Sequence, residues 1–527
     1  MVGQGTIAAT GAGHLIIRAV DSGVGVTTNA ALNLNIRLSN GTLTFDMTDD
    51  NQDVVTLTGT IDLGGGRLVV SDGVVDAQGV TLSNIGSYTL NSGLVVSLEG
   101  LAALQGAASS GTGTLVLEPT EEEIGGEGVL PELAGLDLTS VQLLQVSVAD
   151  FYVIDSQFQL AADVSVTLTD ASVTAADANN VAAATTGIVT ATVAAATAAN
   201  LNGGLTNAAS SDALTLTVTG TEPAAASDLI ALTGKTSVAV NASAVTSVTG
   251  SAAQLQTLYA LGGSQITGLG NEAVTITGTP SATEANAVAA LTTGTLTATV
   301  AADTASALNA ALTGASGSDA LTLTVTGTSA SLADLNGLNA KTSVNVSVGS
   351  LTGVTGTPAQ LTTLLGVGAT LTAAPGFTGF NGDETITLTG TVTAADANAA
   401  AAATTGGVTA NLGTLTLAQT SSLTPTDNAY TITLSDTSAT ASALNTLDGK
   451  TTVAVNAQSV TTLTGAVADV KTAIASSGLT MATNYAVTLT DASVSVADAN
   501  IVDADTTGVV TATITERDMA TLAGLTG

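Results

Sequence analysis

The most regular signal in the chain is a short run in which apolar and polar positions alternate strictly. In DALTLTVTGT (residues 212–221), Leu214, Leu216 and Val218 point one way while Thr215, Thr217 and Thr219 point the other. Leu321, Leu323 and Val325 against Thr322, Thr324 and Thr326 repeat the pattern. A period of two with a β-branched polar face predicts half-buried strands. Further strand-like runs begin near Val166, Val189, Val238 and Val274. One strand therefore recurs every ~22 to 36 residues, within or just above the coil length of solenoid repeats.

Between these runs lie short Ala/Leu segments with helix-start chemistry. Thr174-Ala-Ala-Asp177 has the spacing of a capping box: the Thr hydroxyl accepts the N3 amide and the Asp reaches back to the N-cap amide. Ser281 with Glu284, Thr393 with Asp396 and Ser495 with Asp498 repeat it in the same register. Ser251 with Gln254 adds another, and Thr357-Pro-Ala-Gln360 places Pro at the first helical position. Helices this short are marginal alone and need a surface to pack on. The predicted unit is strand, turn, short helix, turn, next strand.

The units are themselves grouped. VTLTDASVTAADAN ends at Asn179, and its relatives end at Asn286, Asn398 and Asn500, spacings of 107, 112 and 102 residues. Two further anchors keep the same order inside the copies: DALTLTVTGT returns at 319–328 and loosely at 428–437. GKTSVAVNA at 234 returns at 340 and 449. The expected fold is a β-rich repeat protein, a solenoid of strand plus short-helix coils with a parallel β ladder and Ala-rich helices. An all-β N-terminal region precedes it. Tandem β-sandwich domains are the rival, ranked lower because sandwiches do not need regular capping boxes between strands. The boundaries read as 1–117 for the all-β region, 118–163 for an acidic linker and lead-in, 164–270, 271–380 and 381–484 for three repeats, and 485–527 for a partial fourth.

Composition sharpens this picture. Charged residues are 9% and aromatics 2% of 527 residues, cysteine is absent, and the net charge is -34. Eight Lys and Arg cannot build the basic stripe that nucleic-acid binding requires, so no nucleic-acid partner is expected. Without cysteine there are no disulfides, thiolate zinc sites or thiol nucleophiles. The mean hydropathy of +0.47 comes from Ala and Val rather than from long Leu/Ile/Phe runs, so no membrane span is expected. The opening stretch MVGQGTIAATGAG lacks the basic-then-apolar order of a cleavable leader.

Catalytic chemistry has little to work with. His14 is alone, in GAGHLIIR, and reads as structural; HExxH, GxSxG, P-loop and GxGxxG patterns are missing, and no enzyme activity is expected. The acidic pairs Asp49/Asp50 and Asp383/Glu384 read as solvated neighbours. Calcium is the candidate cation, because carboxylates and turn carbonyls are its hard ligands, and Asp170, Asp383, Glu384 and Asp491 are the turn acids placed to hold it. Asn179, Asn286, Asn398 and Asn500 are expected to form a structural ladder that satisfies the backbone of the next coil. Lys235, Lys341 and Lys450 share one repeat position and are expected to pair with carboxylates of neighbouring coils or to blunt an edge. The threonine stripes read as a solvated β face, since the alternation lapses at Ser237 and Ala239.

The passage VTLTDASVTAADANNVAAATTGIVTATV and its relatives across 164–527 resemble bacterial surface-layer and giant repetitive cell-surface proteins. That resemblance implies an extracellular, cell-surface protein that self-assembles, often with calcium and with export through a C-terminal signal. The missing calcium-binding nonapeptides are a departure from it. The function expected is a structural protein assembling with copies of itself into a layer, filament or appendage. An adhesin or phage-type fibre that binds a surface receptor or cell-envelope glycan is the alternative, and a β-helical carbohydrate enzyme the weakest.

Overall fold

The computed structural model describes residues 6–11, 14–18, 30–38, 42–46, 54–72, 74–90, 94–105, 107–110, 114–118, 124–125, 128–129, 136–424 and 427–526. Among them the chain is a mixed α/β protein with several parallel sheets and sixteen α-helices. It forms two compact units, Met1–Gly250 with Gln254–Glu272, and Ser251–Ala253 with Ala273–Gly527.

In the first unit one sheet of 13 strands runs from Thr6–Gly11 to Ala213–Thr215. Its early strands are long, Val54–Asp72 and Val74–Leu90 among them, and pair in parallel over most of their length. Leu94–Val96 then pairs with Leu115–Leu117, which pairs with Leu143–Val146, and so on through Ser165–Leu168 and Val189–Thr192. The ladder thus crosses the acidic linker expected at 118–163 without a break in pairing. Of that linker, 119–123, 126–127 and 130–135 lie outside the described residues. The rest includes an antiparallel hairpin of Ile124–Gly125 with Gly128–Val129. Sandwich domains need antiparallel neighbours, so the tandem-sandwich alternative does not match this sheet.

The expectation of an all-β region up to 117 is corrected by a helix, Leu98–Leu104. Ser97 caps it by accepting the Gly100 amide at 3.2 Å, and Leu101 and Leu104 bury the face three residues apart.

In the second unit Val274 pairs with Leu296, and Thr299 with Thr322, in parallel. A seven-stranded sheet joins Ser329–Ser331, Gly353–Gly356, Thr385–Leu388, Val408–Leu415, Ala429–Leu434, Val455–Ala457 and Leu479–Met481. Several strands bury alternate residues, and so does the run of Leu321, Leu323 and Val325, where Thr322 and Thr324 stay exposed. Helices fill the intervals and bury every third or fourth residue: Leu332, Leu335 and Leu338 in one, Ala397, Ala400 and Ala403 in another.

The light composition follows from how close the layers come. A Cβ added at Gly204 would lie 2.9 Å from the Cβ of Ala175 on the preceding helix, and one at Gly356 2.8 Å from Leu332 Cβ. Larger residues at these points would force neighbouring coils apart.

Candidate functional site

The positions that recur along the chain are the polar ones, so they define where a site could be built. Helix starts come first. Thr174, Thr197, Thr304, Ser331 and Thr440 each accept the amide three residues on. Ser281 with Glu284, Thr393 with Asp396, Thr357 with Gln360 and Thr416 with Gln419 form full reciprocal boxes. At Thr174 and Ser495 the expected return bond is altered: Asp177 and Asp498 bond the cap hydroxyl at 2.7 and 2.8 Å. Each has its other oxygen taken by the preceding coil, from Tyr152 Oη at 2.9 Å and Lys471 Nζ at 2.8 Å.

These bonds set the charge states. Bonds from the Ser281 amide and hydroxyl hold Glu284 below the usual carboxylate range. Asp498 is held down by Lys471 and then Ser495, and Asp518 by the Thr521 amide. Glu118 goes the other way: burial, with Asp76 nearby, pushes it up. Burial, and then Asp505, pushes the Tyr485 phenol up.

The four asparagines expected as a ladder are half-buried, and each bonds backbone of the next coil. Asn179 Oδ1 accepts the Asn207 amide at 2.6 Å, and Asn286 Oδ1 the Gly314 amide at 2.6 Å. Asn398 accepts from Thr424 N at 3.0 Å and donates to Ser422 O at 2.7 Å; Asn500 does the same with Thr526 N and Gly524 O. The column is longer than the repeat anchor revealed. Asn202, Asn309, Asn336 and Asn445 occupy the same place, five residues after a helix cap. Asn202 and Asn309 donate to Asp228 and Asp334, and Asn336 and Asn445 to the Gln360 and Asp469 carbonyls.

A second set of groups reaches the opposite way. Asp212, the first residue of the strand anchor, accepts the Val189 amide one coil back at 2.9 Å; Asp319 takes Leu296 N at 2.8 Å and Asn428 takes Val408 N at 2.8 Å. All three are buried. Asp170 and Asp491, two of the expected calcium ligands, cap the helix before them, accepting Val148 N at 2.7 Å and Val467 N at 2.6 Å. Asp436 and Glu516 do the same at Leu417 and Val496. The lysine row departs from expectation: Lys235 and Lys341 donate to the Leu205 and Leu312 carbonyls at 2.5 Å, and Lys450 to Ser421 O at 2.9 Å. The physical reason is position, since the ends of the preceding helices leave carbonyls unpaired there.

Paired hydroxyls clip other junctions. Thr236 Oγ1 donates to Leu214 O at 2.7 Å and Ser237 Oγ to Asp212 O at 2.9 Å. Thr342 with Ser343, Thr404 with Thr405, and Thr506 with Thr507 repeat the clip.

The four acids expected to hold calcium are not gathered into one place. Asp170 lies in the first unit and Asp491 far along the second. Glu384 is fully buried and closes its own turn on the Asn381 and Gly382 amides at 2.6 and 2.9 Å, while the neighbouring Asp383 is exposed. Among the described residues no three His, Asp or Glu side chains stand close enough to hold a metal ion. His14 is placed by its backbone, on the strand His14–Arg18 paired with Thr42–Asp46; Asp49 and Asp50 lie outside the described residues.

Two shallow hollows lie among the described residues. One, about 220 Å³, is lined by Ser210, Thr236, Ser237, Val238 and Gln265 and contains no ionisable side chain. The other, also about 220 Å³, includes Asp334, whose carboxylate already bonds Ser331 Oγ and Asn309 Nδ2. Among the described residues no helix is long and apolar enough to cross a membrane. No family model, curated protein or solved structure matches the chain.

Proposed function

We propose that this chain is a structural repeat protein, a solenoid of strand-plus-helix coils that self-assembles into an extracellular layer, filament or cell-surface appendage. The observation that carries the reading is where the recurring polar groups go. Aspartates, asparagines, lysines and paired hydroxyls at matching repeat positions bond the backbone of the adjacent coil. An enzyme or receptor gathers such groups into a cleft; here they recur from coil to coil over residues 148–526. A stack of like coils with small side chains is building material. The net charge of -34 adds a condition: copies repel one another unless cations screen or bridge them, so assembly strengthens with calcium.

Light scattering of the purified chain across a concentration series, with calcium and with a chelator, tests this. The mass is expected to rise above that of one chain as concentration and calcium increase. A protein that stays monomeric under all of these conditions contradicts the reading, and glycan-array binding by that monomer would move it to the adhesin class.

A further inference from the structure

Two sets of side chains cross the junctions between coils in opposite senses. In the second unit Asp319, on the later coil, holds the first amide of the strand Leu296–Thr299 on the earlier one. Asp436, Asp491 and Glu516 likewise reach back to the helix-start amides of Leu417, Val467 and Val496. Lys341 reaches back to the Leu312 carbonyl at a helix end. The helix asparagines reach forward instead, Asn286 to the Gly314 amide, Asn398 to Thr424 and Asn500 to Thr526.

We propose that neighbouring coils are locked by these two opposed systems, so that local opening travels in a direction set by which lock is lost. Loss of a backward lock frees the strand or helix end of the earlier coil. Loss of a forward asparagine frees the turn of the later coil. For the backward lock at Asp319 the cause is the cost of leaving a buried backbone amide without an acceptor, whereas Gly314, Thr424 and Thr526, held by the forward asparagines, are exposed, so water competes for those amides and their loss costs less. Leu296 is 1% exposed and Asp319 5%, so water does not replace the carboxylate there. The chain also carries its own control. Asn428 stands at the position of Asp319 in the next copy and accepts the Val408 amide at the same 2.8 Å, so the acceptor oxygen rather than the charge does the holding.

Native-state hydrogen exchange on the full chain reads the direction, because protection of each amide reports its own opening. In Asp319→Ala the Leu296 amide, one coil back, is expected to exchange roughly tenfold faster or more, the size of a lost hydrogen bond to a charged group. The amides of Val346 and Ser347, one coil on, keep wild-type rates. In Asn286→Ala the Gly314 amide quickens while Thr275 and Thr297 do not change. Asp319→Asn preserves the packing and decides the matter if the alanine variant does not fold. It is expected to keep Leu296 protected and to free only the Ser316 amide, which the second carboxylate oxygen holds at 2.7 Å. Wild-type protection of Leu296 in Asp319→Ala, unchanged exchange of Gly314 in Asn286→Ala, or equal loss on both sides of either substitution overturns the proposal.

Discussion

Gly406 and Gly407 stand side by side and face opposite circumstances. A Cβ at Gly406 would lie 2.3 Å from the Asp383 carbonyl oxygen, whereas one at Gly407 would meet nothing within 4 Å. The same squeeze recurs where the Thr-Thr-Gly clip recurs, at Gly187 against Val164 O and at Gly508 against Tyr485 O. These glycines are required by the approach of the preceding coil's backbone. Gly406→Ala is therefore expected to cost about 1–3 kcal/mol, the usual penalty of overpacking, while Gly407→Ala stays within about 0.5 kcal/mol of neutral. Paired thermal or urea denaturation of the two variants checks this.

Charge at single residues gives a pH signature. Glu284 has its carboxyl held low by Ser281, so its folded value lies below its unfolded one. Its contribution is present above the unfolded value and is lost as the pH falls through the folded one. The stability gap between the wild type and Glu284→Ala should then be widest near neutrality and close on acidification. Glu118 has the opposite sign, since burial raises it and ionisation near neutrality works against the fold. Glu118→Gln should narrow its own stability difference as the pH is lowered. Denaturation midpoints measured from pH 7 down to 3 read both.

At the scale of helix and strand, the asparagine column supplies a graded test. Asn398 makes bonds to Thr424 N, Thr424 Oγ1 and Ser422 O, but Asn445 Oδ1 is buried with no hydrogen-bond partner, and only its Nδ2 is engaged. Asn398→Ala should destabilise more than Asn445→Ala, by about 1 kcal/mol or more, because removing Asn445 also removes an unpaired buried acceptor. Equal losses in denaturation would show that the column acts by size alone.

The helix caps and alternating strands were legible in the sequence because each is local: Thr393 finds Asp396 three residues away, and Leu321 and Leu323 share a face by period two. The column was legible at Asn179, Asn286, Asn398 and Asn500, where a long anchor marked it. Asn202, Asn309, Asn336 and Asn445 sit in shorter contexts, and counting five residues from every cap would have found them. Of the backward locks, the lysine row and the turn acids Asp170 and Asp491 stood out in the sequence, but their backbone partners did not. Asp212 meets Val189, and Lys235 meets Leu205, across a whole coil whose length varies, so the pairing is fixed only by stacking. The helix Leu98–Leu104 was hidden by its brevity and by the strand-like runs on either side.

For the molecule as a whole, the chain is acidic, nearly free of aromatics, and knit from coil to coil by its own polar residues. The scaffold role proposed above rests on this repeated coil-to-coil bonding. Electron microscopy of the purified full chain, with calcium and again with a chelator, tests that claim most directly. The account predicts regular sheets or filaments that grow in calcium and thin out in the chelator. Single, unassociated particles at every concentration and in both conditions would contradict it.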